Sequence, residues 1–227
     1  MSLILNIETS SKKASVNLAE MGKTLHQING SEEEGISQEI TMLINKLLIE
    51  VQKKIENLDA IAISIGPGSY TSLRIGMSVA KALCYGKELP FIGIPTLELL
   101  ALHTIEKQNH REAFYLSLID AKRMDVYAAA YNERGKIILP ASFVTLTVEW
   151  FEQWKEKKAI ISGNANLKIK TLGNIEKTLF LTDIEQTAET MSKTSHEYYK
   201  QGNFIDVAYS IPYYLKPPNI TKAKNIL

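Results

Sequence analysis

Cysteine is all but absent from this sequence: Cys84 is the single one in 227 residues, so no internal disulfide can form and the chain suits a reducing compartment. Cys84 lies within an apolar helical stretch and reads as packed rather than reactive. Long hydrophobic runs are also missing. The first run, Leu3 to Ile7, is far too short for a signal-peptide core or a membrane span, and no later run approaches the required length. These absences predict a soluble cytoplasmic protein with no membrane contact. Nor is there an excess of charge of either sign. With 26 Lys and Arg against 25 Asp and Glu, the formal net charge is +1. The total therefore advertises no nucleic-acid or membrane surface, and any contact with RNA has to be local. What remains is a chain long enough for one large or two small domains, either of which can bury a core.

The organising stretch is Asp59 to Gly76, D-A-I-A-I-S-I-G-P-G-S-Y-T-S-L-R-I-G. Ala60 to Ile65 is a short apolar run, Gly66-Pro67-Gly68 must turn, and Thr71 begins a helix almost free of charge. The pattern predicts strand, glycine turn and helix start, with Ser69 or Thr71 as cap. Free N–H groups at such a helix end can hold a phosphate. Two marks of a nucleotide loop are nevertheless missing, since no Lys follows the glycines and no third glycine stands at dinucleotide-binding spacing. A plain strand-to-helix turn explains the loop equally well.

Three antiparallel strands are predicted at Leu3–Ile7, Ser15–Ala19 and Thr24–Ile28, followed by a solvated acidic loop and a helix from Ile36 to Val51 with Ser37 as cap. Met42 and Ile49 fall one heptad apart outside the apolar stripe of this helix. Helix two, from Thr71, is apolar most of the way round: Ile75, Val79 and Leu83 form one face, Leu73, Met77 and Ala80 another. Ser72, Gly76, Ala80 and Cys84 form a ridge of small side chains. Either the two helices pack on one another, or they jointly present a protein interface with Met42, Ile49, Leu73 and Met77 as its apolar candidates.

After a polar stretch from His103 to Glu112, read as a hinge between two halves with His103 and His110 as surface residues, the opening recurs at an offset near 112. Phe114 to Ile119 ends at Asp120 as Leu3 to Ile7 ends at Glu8. Val126–Tyr131, the Gly135-Lys136 turn, the helix Glu149–Lys157 and the strand Ala159–Ser162 follow in matching order. Two copies of one mixed α/β unit are predicted: a first lobe, residues 1–103, and a second, 104–227, whose C-terminal helix, Ala188–Gln201, is free to return to the first. The second glycine loop, Gly163 to Asn166, lacks a helix start, Lys168 to Leu181 shows no period, and the proline-containing tail from Ile211 reads as surface chain.

The stretch Gly66 to Gly76, with I-L-N-I-E-T-S (Ile4 to Ser10), F-I-G-I-P-T-L (Phe91 to Leu97) and I-D-A-K-R (Ile119 to Arg123), resembles the TsaB family, once called YeaZ. The resemblance runs from residue 3 to about residue 132 and returns at Tyr214-Leu215-Lys216. It implies an α/β fold of two duplicated lobes of the actin-like ATPase (ribonuclease H-like) type, with mixed sheets flanked by helices. It also implies a non-catalytic scaffold or activator in the synthesis of threonylcarbamoyladenosine in tRNA. Such proteins bind a catalytic paralogue, TsaD, through the first-lobe helices and are joined by an ATPase, TsaE. The implied interface comprises Met42, Ile49, Leu73, Gly76, Met77 and Ala80, used for a homodimer when the chain is alone. ATP and metal belong to the partner subunits, tRNA is the substrate of the complex, and this chain has no cofactor, metal or catalytic residue of its own. Glu8, Gly66, Gly68, Ser69 and Asp120 would shape a cleft or ligand loop, Glu8 and Asp120 standing where an actin-like enzyme keeps its two strand-end acids.

The sequence departs from the family pattern at Glu8, where many relatives have Asp, and at Gly35-Ile36-Ser37, where relatives often carry a histidine. The catalytic relative carries two metal-binding histidines on helix one, whereas Ile36 to Val51 holds no His or Cys. The competing expectation is an active glycoprotease-like peptidase or nucleotide-dependent phosphotransferase.

Overall fold

In the computed structural model, residues 2–172 and 179–216 are described. The prolines and lysines of the predicted tail beyond residue 216, and residues 173–178 within the stretch without a period, lie outside them. The first lobe runs β1 (Leu3–Glu8), β2 (Ser15–Glu20), β3 (Lys23–Asn29), α1 (Ile36–Glu50), β4 (Ala60–Gly66), α2 (Tyr70–Lys87) and β5 (Phe91–Pro95). Helix α3 (Thr96–Gln108) follows. The second lobe repeats the order as β6 (Phe114–Asp120), β7 (Asp125–Tyr131), β8 (Ile137–Thr145), α4 (Val148–Glu152), β9 (Ala159–Ser162), α5 (Asn166–Thr171) and β10 (Leu179–Leu181). A 3-10 turn, Ala188–Met191, leads into α6 (Ser192–Lys200).

Each lobe is built on a five-stranded sheet, ordered β3-β2-β1-β4-β5 in the first and β8-β7-β6-β9-β10 in the second. Three strands are antiparallel in each, and the last two run parallel to the central one. The two lobes therefore share one topology, the duplicated α/β architecture expected from the 112-residue repeat. Strand β1 is central and buried on both faces, which is why its sequence is apolar on both parities except at Asn6 and Glu8.

Because side chains alternate along a strand, each sheet has an outer and an inner face. On the outer face of the first sheet, Leu3, Leu5, Ile7, Ile61 and Ile63 pack with Ile40, Ile44 and Leu47 of α1 and Met77, Ala80 and Cys84 of α2. On the outer face of the second, Leu116, Leu118 and Ile161 pack with Phe151 of α4 and Ile169 of α5. The inner faces meet across α3, which buries Leu99 against Ile4, Ala62, Ile92 and Ile94 of the first sheet. Leu97, Leu100 and Ala101 of the same helix pack against Tyr115, Ile119, Ala129 and Ile160 of the second. Helix α6 and its preceding turn lie back on the first sheet, touching β1, β2, β3 and β5.

Several local expectations are corrected. The lobe boundary drawn at residues 103 and 104 falls inside α3, because that helix belongs to both cores and continues to Gln108. Gly35, at φ 78°, takes the cap position of α1 in place of Ser37. A short helix, α5, does follow the second glycine loop; its six residues are too few to show a period.

Leu99 is fully buried, so Leu99→Ala is expected to lower the unfolding free energy by about 2–5 kcal/mol, read from urea denaturation.

Candidate functional site

The glycine loop between β4 and α2 is locked from two sides. Its Ser69 N–H donates to the Ser10 carbonyl at 2.8 Å. A Cβ on Gly68 would stand 2.4 Å from that same oxygen, so only glycine permits the approach. On the other side the Tyr213 N–H donates to the Ile65 carbonyl at 2.7 Å. Gly66, at φ +112°, lies so close that a Cβ would be 2.8 Å from the Tyr213 carbonyl oxygen. The Gly66–Pro67 peptide is cis. Ser69 occupies the cap position of α2, but its Oγ pairs with Ser72 Oγ at 2.8 Å instead of capping the helix. The β1–β2 turn, the glycine loop and the C-terminal segment thus form one interlocked unit.

Glu8 sits beneath this unit, with no exposed surface. It lies on the inner face of β1, as Asn6 does, because strand parity places them together. The Ser10 N–H donates to one carboxylate oxygen, while Oε2 is buried without a partner. Burial raises the Glu8 pKa above its ordinary value, and the hydrogen bond from the Ser10 N–H opposes the rise only in part.

Asp120 does not mirror Glu8. It is exposed, forms an ion pair with Lys168 of α5 at 3.1 Å and accepts from the Lys122 N–H at 2.6 Å. The residue of β6 that faces α3 is Ile119, packed with Leu97 and Leu100. An offset of 112 aligns the two strand ends, yet the inner faces align at 111, and one residue reverses a side chain's direction on a strand. The expected pair of facing acids is therefore not formed.

The predicted helix interface divides. Leu73, Gly76, Met77 and Ala80 are buried against the first sheet, so these four cannot meet a partner directly. A Cβ on Gly76 would stand 2.1 Å from Thr9 Oγ1, which shows what the small-residue ridge is for: it admits the end of β1, not another helix. Met42 and Ile49 are 57% and 66% exposed. Leu43 of α1 is half-buried, as are Ile75, Val79 and Leu83 along one flank of α2. Tyr85, 83% exposed, lies one turn beyond Lys81 on the other flank of α2 and was not anticipated from the sequence.

Other reactive groups are placed away from the loop. Cys84 is buried, and burial pushes its thiol up to about 12. His103 is half-buried in α3, not on the surface as expected, and burial lowers its pKa. His26, His110 and His196 pair with Glu50, Lys158 and Ser2. Among the described residues, no group of three or more His, Cys, Asp or Glu converges on a metal-sized site.

A family model for TsaD, tRNA N6-adenosine threonylcarbamoyltransferase, matches residues 33–227. The tRNA threonylcarbamoyladenosine biosynthesis protein TsaB of Escherichia coli (strain K12) is 28% identical over 230 residues, covering 94% of both proteins. The TsaB of Buchnera aphidicola is 28% identical over 166 residues, 73% of this chain and 71% of that protein. The Bacillus subtilis TsaB is 31% identical over 117 residues, about half of each. This chain belongs to the TsaB (YeaZ) family. Membership supports a role in tRNA threonylcarbamoyladenosine biosynthesis. The YeaZ-like protein of Pseudomonas aeruginosa has the same fold, with a TM-score of 0.77 at 22% identity over 95% of this chain and 100% of that one. An Arthrobacter polyphosphate/ATP-glucomannokinase matches with a TM-score of 0.56 at 8% identity over 88% and 100%, in keeping with the actin-like ATPase architecture.

Because the Glu8 pKa is raised in the folded chain, folding takes up a proton above the ordinary value of 4.5. Its contribution is fully present below that pH and is lost as pH rises through the folded pKa. Glu8→Gln should therefore match the wild type near pH 4 and become the more stable protein toward pH 8, by about 1 kcal/mol or more, in urea titrations across that range. Gly68→Ala should destabilise at every pH, since a backbone oxygen blocks the added methyl; thermal melts would show it as a drop of several degrees, about 1–3 kcal/mol.

Proposed function

We propose that this chain is a non-catalytic scaffold subunit in tRNA threonylcarbamoyladenosine synthesis, and that it docks the catalytic paralogue TsaD through α1 and α2. The observation that carries the reading is how the chain uses its own cleft. In an actin-like ATPase the strand-end acid and the loop after it attend a nucleotide. Here Glu8 is sealed beneath Ser10, the Ser69 N–H is spent on the Ser10 carbonyl, and α3 fills the space between the sheets.

The exposed Met42 and Ile49 of α1 and the half-buried Ile75, Val79 and Leu83 of α2 support the docking half of the proposal. A paralogue of the same fold offers an equivalent helix pair, so pairing of like faces follows the logic of a two-fold interface. A second copy of this chain satisfies the same face when the paralogue is absent. ATP and metal ion then belong to the partner subunits, the TsaE ATPase joins the pair, and tRNA is the substrate of the assembly.

The test is reconstitution with TsaD, TsaE and TsaC, the enzyme that would supply the threonylcarbamoyl adenylate, together with tRNA, threonine, bicarbonate and ATP, with modified nucleoside measured by mass spectrometry. Modification is expected to require this chain. Met42→Glu combined with Ile49→Glu should abolish association with TsaD, and modification with it, without shifting the melting temperature, because both positions are exposed. A charge at the buried Met77 would report on folding alone. Undiminished modification without this chain would refute the proposal. A magnesium-dependent ATP complex of the isolated chain, lost in Glu8→Ala, would favour the phosphotransferase alternative.

A further inference from the structure

A run of aromatic rings and cations crosses from one lobe to the other along the C-terminal segment. The Tyr70 and Tyr214 rings stack with centroids 4.9 Å apart at 35°. The Arg74 guanidinium lies 5.6 Å from the Tyr70 ring centre and donates to its hydroxyl at 3.2 Å. Two residues beyond Tyr214, the Lys216 ammonium stands 4.3 Å over the Phe143 ring, which is itself 5.8 Å from Tyr127. Arg74 is exposed, Tyr70 is 39% exposed, and Tyr214, Lys216, Phe143 and Tyr127 are half-buried, so the run is partly open to solvent while packing holds it in place. Tyr127 belongs to the hairpin whose turn carries the exposed Lys122 and Arg123. The neighbouring Asp120 is already paired with Lys168 and adds little opposing field. Asp125 stands at the same turn, so the cations that belong to the run itself are Arg74 and Lys216 beside the rings.

We propose that this run is a contact surface for unpaired RNA, and that its ligand is the anticodon loop of the substrate tRNA. Aromatic faces accept splayed bases without regard to sequence, and flanking Arg and Lys follow the phosphates; an A-form duplex offers no free base faces to such a surface. The choice of tRNA rests on the function proposed above, whereas the preference for single-stranded RNA rests on the geometry alone. The segment is held where it is needed. Tyr213 is bonded to Ile65, and Lys81 donates to the Ala208 and Ser210 carbonyls at 2.9 and 2.8 Å, which ties the segment along α2. The surface lies on the flank of α2 opposite α1 and leaves the docking seam free.

Fluorescence anisotropy with a labelled anticodon stem-loop, using the full chain alone and in the assembled complex, tests this. Tyr214→Leu and Tyr70→Leu should each weaken binding about tenfold, and Arg74→Gln should reduce the dependence of log affinity on log salt by about 0.7. The paired stem without its loop should bind more weakly than the stem-loop. Arg74 is exposed, so its variant keeps the test valid even where a tyrosine variant melts early. Wild-type affinity in variants that melt normally, or equal binding of stem and stem-loop, would overturn the proposal. So would variants that lose the paralogue and keep the RNA, since the surface would then be a protein contact. If modification requires this chain but these variants bind RNA normally, only the present inference fails; if modification does not require the chain, the function proposed above fails separately.

Discussion

Helix α3 has to satisfy two sheets at once, burying Leu99 in one and Leu97, Leu100 and Ala101 in the other, and much else in the molecule follows from that packing. A helix apolar on two opposite sides cannot face solvent, so the inner faces of both lobes close on it. Ser64 and Ser117 on those inner faces are enclosed with it, while Asn6 and Glu8 of β1 are covered by α6 with its preceding turn and by the β1–β2 turn. Enclosure accounts for the raised pKa of Glu8 and for the unpaired buried oxygens of Glu8, Ser64 and Ser117.

With the interior closed, what the chain can offer lies on its outside. Helix α2 stands between two differently dressed surfaces. Toward α1 runs the apolar seam of Ile75, Val79 and Leu83; toward the C-terminal segment run Tyr70, Arg74 and Lys81. The buried stripe of α2 holds these surfaces at a fixed orientation to the sheet, and Gly76 lets the helix lie close enough to contact Thr9.

Much of the fold was legible because its signals are local. The alternation in Leu3–Glu8, the Gly66-Pro67-Gly68 turn and the 112-residue repeat depend on neighbouring residues, and they lead directly to paired mixed sheets. The site was less legible. Helix two reads as apolar all round, and its composition alone does not tell Met77, which is buried, from Ile75, which is partly open. Asp120 matches Glu8 in sequence and points the other way, because the two copies differ by one residue in register. Ser10 and Tyr213, which lock the glycine loop from either side, carry no motif of their own; each acts through a backbone group that any residue type possesses.

The sequence by itself determined the element order of the first lobe, the duplication, the family and hence the pathway in which the chain takes part, since all of these are carried by short-range pattern and by motif. Only the tertiary structure decided which acid is enclosed, which helix side chains remain outside, and that the cleft is filled from within. Those outcomes rest on contacts between residues far apart in the chain, such as Thr9 with Gly76, Tyr213 with Gly66 and α3 with two sheets, and burial at a given position is set by such contacts rather than by the residue's own neighbours.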